Sequence, residues 1–207
     1  MNGISLKKGR IMQKTVKIYD LNVEYDIVQR NVKYWRLELK NEKLMIIAPE
    51  GYDDYEKIIE KHKNWIYKKF KAINVSKEEA RRRKLNYERD EEEFREMIRG
   101  LVKKFSFDMG VAVNKVYFRQ MKSRWGSCSS RNNININKYL KYLPESLIEY
   151  VVFHEVAHLV ELNHSKRFWN IIHEKFNNYK EIEKELSIYW FAIKENIIEA
   201  SFNESKT

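Results

Sequence analysis

A chain of 207 residues can bury one sizeable core, or one core with a smaller attached layer. Its formal charge of +10 favours contact with nucleotides, nucleic acid or acidic surfaces, although abundant lysine also serves plain solubility. The single cysteine, Cys128, excludes an internal disulfide, and no segment approaches the ~20 apolar residues of a membrane span or offers a signal-peptide run, so the expectation is a cytoplasmic protein with no membrane partner.

Residues 1–15 read as a loose basic lead-in. Short β-type runs follow at residues 15–19, 23–28, 34–39 and 44–48, and in the third Leu37 and Leu39 alternate with charged neighbours as a half-buried strand requires. Asn41, Glu42 and Lys43 supply a hairpin-like turn, and Pro49 stops the fourth strand. Asp53 and Asp54 can open a helix in which Tyr55, Ile58, Ile59, Trp65, Ile66 and Phe70 recur at helical spacing. His62, on that helix, has no metal-binding neighbour in the sequence and reads as a surface residue. From Ser76 the chain becomes densely charged with both signs mixed, which fits a solvated helix; Arg81 to Lys84 would lie on its exposed face.

Phe94, Ile98, Leu101, Val102, Phe105 and Met109 restore the 3.6 period, predicting a packed helix from about Asp90 to Met109 capped by Gly110. Residues 111–120 read as a strand, and the alternating stretch from Ile134 to Leu140 is expected to pair with its predecessor, leaving a hairpin ahead of the next helix. Pro144 and Glu145 suit a helix first turn. Ser165 can cap a further helix bearing Phe168, Trp169, Ile172 and Phe176, and a last helix is expected from about Lys180 to Ala200. The organisation expected is a lead-in over 1–15, a β-rich region with one helix over 16–72, a charged helical connector over 73–93, a core over 94–200 and a tail over 201–207.

The chemistry concentrates between Tyr150 and His164, where His154-Glu-x-x-His158 is followed after five residues by His164. On a helix His154 and His158 project from one face, one turn apart, so both imidazoles can bind the same Zn²⁺ while Glu155 reaches the metal's open side. A catalytic zinc site has three protein ligands and keeps a fourth position for water, whose pKa the metal lowers toward ~7; Glu155 is then suited to take its proton. One zinc ion per chain on His154, His158 and His164 is the expected arrangement. The alternative third ligand is a glutamate on a later helix, Glu181, Glu183 or Glu185. Cys128 reads as a small buried hydrophobe rather than a ligand, and His173 as partly exposed.

The spacing to His164 equals that of metzincins, but Glu161 stands where they have glycine, and the required methionine turn is missing because the last methionine is Met121. Asn163 offers another way round, since asparagine tolerates the left-handed conformation that ends helices; the helix is expected to stop at about Leu162 and return His164 to the metal.

Arg124-Trp-Gly-Ser-Cys, an Asn-bearing strand, Pro144, Tyr150-Val-Val-Phe-His-Glu-Val-Ala-His-Leu and Asn163-His-Ser with Phe168-Trp169, in that order, resemble the YgjP-like metallopeptidase family, which is zincin-like and related to the SprT-like proteases. The resemblance implies an α+β fold with a zincin-like core over 94–200, its active-site helix packed on a small sheet and an N-terminal β-rich layer preceding it. It also implies zinc on the three histidines, Glu155 as general base, and residues 124–128 in the sheet facing that helix. Gly126 would allow close backbone approach, Trp125 would pack or stack, and Arg124 would bind a carboxylate or phosphate or brace the core. The chain departs from the family around residues 29–34, where many relatives carry a Ser-Arg-rich strand, and at Tyr139, where a tryptophan is common nearby.

The function expected is zinc-dependent hydrolysis by a metallopeptidase acting on a peptide or protein substrate, with a zinc-bound water activated by Glu155. One alternative is a nucleotide phosphoanhydride hydrolase in which Arg124 and Lys122 neutralise phosphates. Another is a nucleic-acid-associated protease recruited through the basic surface. A purely structural zinc would be closed by four protein ligands.

Overall fold

In the computed structural model the described residues are 11–40 and 42–198; the first ten residues, Asn41 of the expected hairpin turn and the expected tail lie outside them. The fold is α+β, and the chain divides into two compact units between Val75 and Ser76. Among the described residues no helix is long and apolar enough to cross a membrane.

The first unit contains strands β1 (Ile11–Ile18), β2 (Leu21–Arg30), β3 (Arg36–Lys40) and β4 (Lys43–Pro49) in the order β1-β2-β4-β3. β2 and β4 run parallel, and the other two pairings are antiparallel. Around the expected turn β3 and β4 do pair antiparallel, with Lys40 opposite Lys43 and Glu42 at positive φ. Residues 11–14, expected as loose lead-in, are instead the start of β1: Ile11 and Met12 pair with Val28 and Ile27, so an already buried partner strand recruits them. Val23, Tyr25 and Ile27 of β2 share a buried cluster with Leu44, Ile46 and Ala48 of β4 and with Tyr55, Ile58, Ile59 and Ile66 of the long helix α1 (Tyr55–Ala80), the period-2 and period-3.6 faces meeting as their patterns require. His62 is half-buried edge-on to Trp35, not a free surface residue.

The charged stretch from Ser76 is helical only as far as Ala80. Residues 81–90 leave the helix because local polar groups offer better bonds: the Asn86 side-chain oxygen accepts the backbone N–H groups of Glu88 and Arg89, and buried Arg89 donates to the carbonyls of Lys141 at 2.7 Å and Leu143 at 2.8 Å. Arg83, expected on an exposed face, forms a two-pronged pair with Glu185 at 3.0 and 2.7 Å.

The second unit holds α2 (Glu91–Asp108), β5 (Lys115–Arg119), β6 (Gly126–Cys128), β7 (Asn133–Asn137), a 3-10 turn (Lys138–Tyr142), α3 (Glu145–Ala157), α4 (Lys166–Lys175) and α5 (Tyr179–Ile193), which passes into a π turn (Lys194–Ile198). α2 lies where its periodicity predicts, and Gly110 follows it at φ +63°, the left-handed conformation that closes helices. The three-stranded sheet has the order β5-β7-β6. The hairpin expected between the strand at 111–120 and that at 134–140 does not form: β5 joins β7 in parallel, the antiparallel partner of β7 is β6, and β7 ends at Asn137 rather than Leu140. Ile134 and Ile136 of β7 share one core with Phe94, Ile98 and Phe105 of α2 and Ile148, Val152 and Val156 of α3. Buried on nearly every side, α3 is the central helix of this unit, and it carries the histidines.

Candidate metal centre

α3 ends at Ala157, five residues short of the expected stop, with His158 as its C-cap. The reversal is made by tight turns: the N–H of Leu159 bonds to Val156 O at 2.9 Å, and those of Val160 and Glu161 both bond to Ala157 O at 3.0 Å. Asn163 does not adopt the left-handed conformation expected of it, since Tyr19, Glu42 and Asn132 are the positive-φ residues other than glycine among those described. No left-handed residue is needed, because His158 itself ties the turn: its Nδ1 lies 3.1 Å from the carbonyl oxygen of Glu161. A carbonyl only accepts, so Nδ1 carries the proton and Nε2 presents its lone pair.

This turn brings His164 back over the helix. One ring nitrogen from each of His154, His158 and His164 lies within 4.8 Å of the others, and His154 Nε2 and His164 Nε2 are 3.1 Å apart. None of Glu181, Glu183 or Glu185 belongs to that cluster. The rings are held by α4, whose Ser165 caps the helix by accepting the Phe168 N–H, as expected. Phe168 stacks on His158 with centroids 4.5 Å apart, and Trp169 stacks on His164 at 5.6 Å. Burial pushes the His154 pKa down to about 3, with His158 and His164 reinforcing it, and burial also lowers His158. Buried imidazoles in this setting are neutral, the protonation state a metal requires.

Glu155 leaves α3 toward β6 and is 6 % exposed, with Oε2 lacking any hydrogen-bond partner among the described residues. Burial pushes its pKa up to about 8 against the opposing charge of Arg124. The space for this carboxylate exists because residue 126 is glycine: a Cβ there would stand 2.5 Å from both Glu155 Cγ and Oε1. Cys128, half-buried on the same strand, has its thiol pushed up to about 11, chiefly by burial, and lies outside the donor cluster.

The donor set fits a zinc-like ion: tetrahedral coordination with Zn–N near 2.1 Å needs nitrogens roughly 3.4 Å apart, all three donors are imidazoles, and an orphaned carboxylate oxygen stands beside them. They open on a cavity of about 750 Å³. Residues 123–128 form one wall, and Leu186, Trp190 and Phe191 of α5 another. Trp125 meets Trp190 edge to face at 5.1 Å. Arg124 is exposed at this wall, and its guanidinium makes no ion pair among the described residues. Asn163 sits in the turn and does not line the cavity.

One functional residue, Asn137, was not legible in the sequence. Fully buried Asn137 donates to Met121 O at 2.9 Å and Arg124 O at 2.8 Å, while its oxygen accepts the N–H groups of Met121 and Tyr139. Three of these four bonds fix the loop that presents residues 121–125 and the fourth caps the 3-10 turn, and the place of Asn137 at the end of an Asn-Ile alternation was the available signal. Glu183, one of the alternative third ligands, instead lies on the cavity wall and accepts a hydrogen bond from the Tyr150 hydroxyl at 3.2 Å.

No curated protein matches this chain. Among solved structures it is similar to the metallopeptidase zymogen of Pyrococcus abyssi abylysin, at 25 % identity and TM-score 0.40 over 43 % of this chain and 90 % of that one. It is likewise similar to the metallopeptidase zymogen of Methanocaldococcus jannaschii jannalysin, at 26 % identity and TM-score 0.39 over 43 % of this chain and 92 % of that one. The model of the YgjP-like metallopeptidase domain matches residues 73–189, which take in the three-stranded sheet, the three histidines and Glu155. The chain belongs to the YgjP-like metallopeptidase family and is a metallohydrolase.

Proposed function

We propose that this metallopeptidase cleaves peptide bonds of peptides or unfolded proteins with one zinc ion held by His154, His158 and His164. The observation that carries the reading is the convergence of three imidazole nitrogens on a cavity shared with a buried carboxylate whose Oε2 has no partner among the described residues. When bound, zinc supplies Lewis acidity, polarising the scissile carbonyl and making water at the site easier to deprotonate. Glu155 Oε2 takes the proton from the attacking water and hands it to the departing amine nitrogen. Gly126 keeps that carboxylate within reach by leaving it room, and the burial of Glu155 shields it from bulk solvent. β6 is an edge strand beside the cavity, so its free backbone groups are available to an extended substrate, aligning the chain across the histidines.

The test is Glu155→Gln. The variant is expected to bind the same amount of zinc by elemental analysis and to lose cleavage of an unfolded protein or peptide library by about 10²–10⁴-fold. Zinc-loaded wild type that leaves every peptide and unfolded protein intact would sink the proposal.

The unpaired guanidinium of Arg124 favours a second reading, hydrolysis of a nucleotide phosphoanhydride, because a planar cation at the site matches phosphate oxygens. Glu155-dependent phosphate or pyrophosphate release from nucleoside triphosphates, lost in Arg124→Ala, is the outcome that reading requires.

A further inference from the structure

The α5 wall of the cavity carries an acid, Glu183, that stands outside the cluster of metal-binding nitrogens and has no ion-pair partner among the described residues. Glu183, Leu186 and Trp190 fall at i, i+3 and i+7 of α5, hence on one face, and all three line the cavity. The neighbouring acids on the helix are otherwise placed: Glu185 is taken up by Arg83, and Glu181 borders a different hollow with Trp169 and His173. Glu183 has no lysine or arginine partner among the described residues, is accessible from the cavity, and lies outside the three-nitrogen cluster. One of its oxygens is fixed by the Tyr150 hydroxyl at 3.2 Å. Tyr150 is itself 2 % exposed and packs against Phe176 with ring centroids 5.3 Å apart, so the anchor is rigid.

From this arrangement we infer that Glu183 is a specificity-determining residue that receives the cationic head of a lysine or arginine side chain of the substrate. The inference rests on the peptidase reading above. A lysine or arginine presents a flexible apolar stem ending in a charge, and the α5 face offers the complement: Leu186 and Trp190 for the stem, the oriented carboxylate of Glu183 for the head. A chain with net charge +10 repels cationic substrates at long range, so preference for them has to come from a local carboxylate. The hydrogen bond from Tyr150 engages one oxygen and leaves the other for the incoming cation, which makes Tyr150 the positioning residue of the pair.

The experiment measures binding of zinc-loaded Glu155→Gln protein to matched peptides that differ at one position, lysine, arginine or norleucine, each with free and acetylated N-termini. The lysine and arginine peptides are expected to bind about tenfold more tightly than the norleucine peptide, whatever the N-terminus. Adding Glu183→Gln is expected to erase the difference, and Glu183→Lys to turn it into a preference for a glutamate peptide. Tyr150→Phe is expected to reduce the preference while leaving affinity for norleucine unchanged. Equal affinity for lysine and norleucine, a preference that survives Glu183→Gln, or discrimination that follows only the free N-terminus overturns the inference. Turnover by the wild type is read separately. If it leaves all the peptides intact while the Glu155→Gln protein still distinguishes them, the peptidase reading falls and cation recognition at Glu183 stands; if it cleaves lysine and norleucine peptides alike and binding does not distinguish them, the reverse holds.

Discussion

α2 and α3 pack on each other in the same unit, with Phe105 of one edge to face with Phe153 of the other at 5.2 Å, yet they are built on opposite principles. α2 is consistent at every level: Asp90 caps it by accepting the N–H groups of Glu92 and Glu93, acids fill its first turn, and Phe94, Ile98, Val102 and Phe105 make one buried stripe. α3 has no side-chain cap, is buried on almost all sides, and encloses a carboxylic acid with an unpartnered oxygen. The contrast assigns stability to α2 and chemistry to α3: the second helix tolerates a poor cap and a costly buried acid because its neighbours hold it in place.

Breaking the stability side gives the largest expected effect. Phe105→Ala removes a fully buried ring at the α2–α3 contact and is expected to destabilise the protein by about 3–5 kcal/mol in denaturant titration, while activity per folded molecule changes little. Unchanged stability would mean that α2 does not support α3. Breaking the chemical side requires only one methyl group. Gly126→Ala places a Cβ 2.5 Å from Glu155 Cγ, and a buried side chain cannot swing away freely, so the carboxylate shifts. Hydrolysis is expected to fall by about a hundredfold with zinc content unchanged, a split that elemental analysis beside kcat/KM would reveal.

The same contrast explains what could be read from the chain. α2 was legible because its signals are local: the apolar period, Asp90 before it and Gly110 after it. The one-turn spacing of His154 and His158 was legible for the same reason, and the position of His164 beside a turn placed it within reach of them. The manner of the turn was not, because α3 stops at Ala157 through a bond between the His158 ring and the Glu161 carbonyl, and no propensity of Asn163 encodes that. The parallel pairing of β5 with β7 was equally hidden, since chain order favours an antiparallel hairpin and only the third strand, β6, resolves the sheet. Asn137 was missed, and Glu183 was expected only as an alternative ligand, because their partners, Met121 and Arg124 for one and Tyr150 for the other, lie 13 to 33 residues away in sequence.

The cost carried by α3 can be measured directly. Glu155→Met exchanges an acid with an unsatisfied buried oxygen for an apolar side chain of similar reach; in metal-free protein it is expected to raise stability by about 1–3 kcal/mol, and the zinc-loaded variant is expected to be inactive. If metal-free Glu155→Met is less stable than wild type, the buried carboxylate contributes to the fold and the division of labour between the helices fails.

The smallest effect sharpens the other side. The N–H groups of Glu92, Glu93 and Glu91 hold the Asp90 carboxyl below the usual carboxylate range. Its folded pKa therefore lies below its unfolded value, so the stabilisation is fully present above the unfolded value and fades as pH falls through the folded one. Asp90→Ala is expected to lower Tm at neutral pH, and the gap to wild type is expected to narrow in acid, once Asp90 is protonated in both states. Asp90→Asn retains an acceptor for the same N–H groups but no charge, so its Tm at neutral pH should fall between the two, with little pH dependence relative to Asp90→Ala. A gap between wild type and Asp90→Ala that stays constant into acid would locate the stabilisation in the hydrogen bonds alone; a gap that narrows shows that the negative charge of the capping carboxylate, a side-chain cap that α3 lacks, supplies part of it.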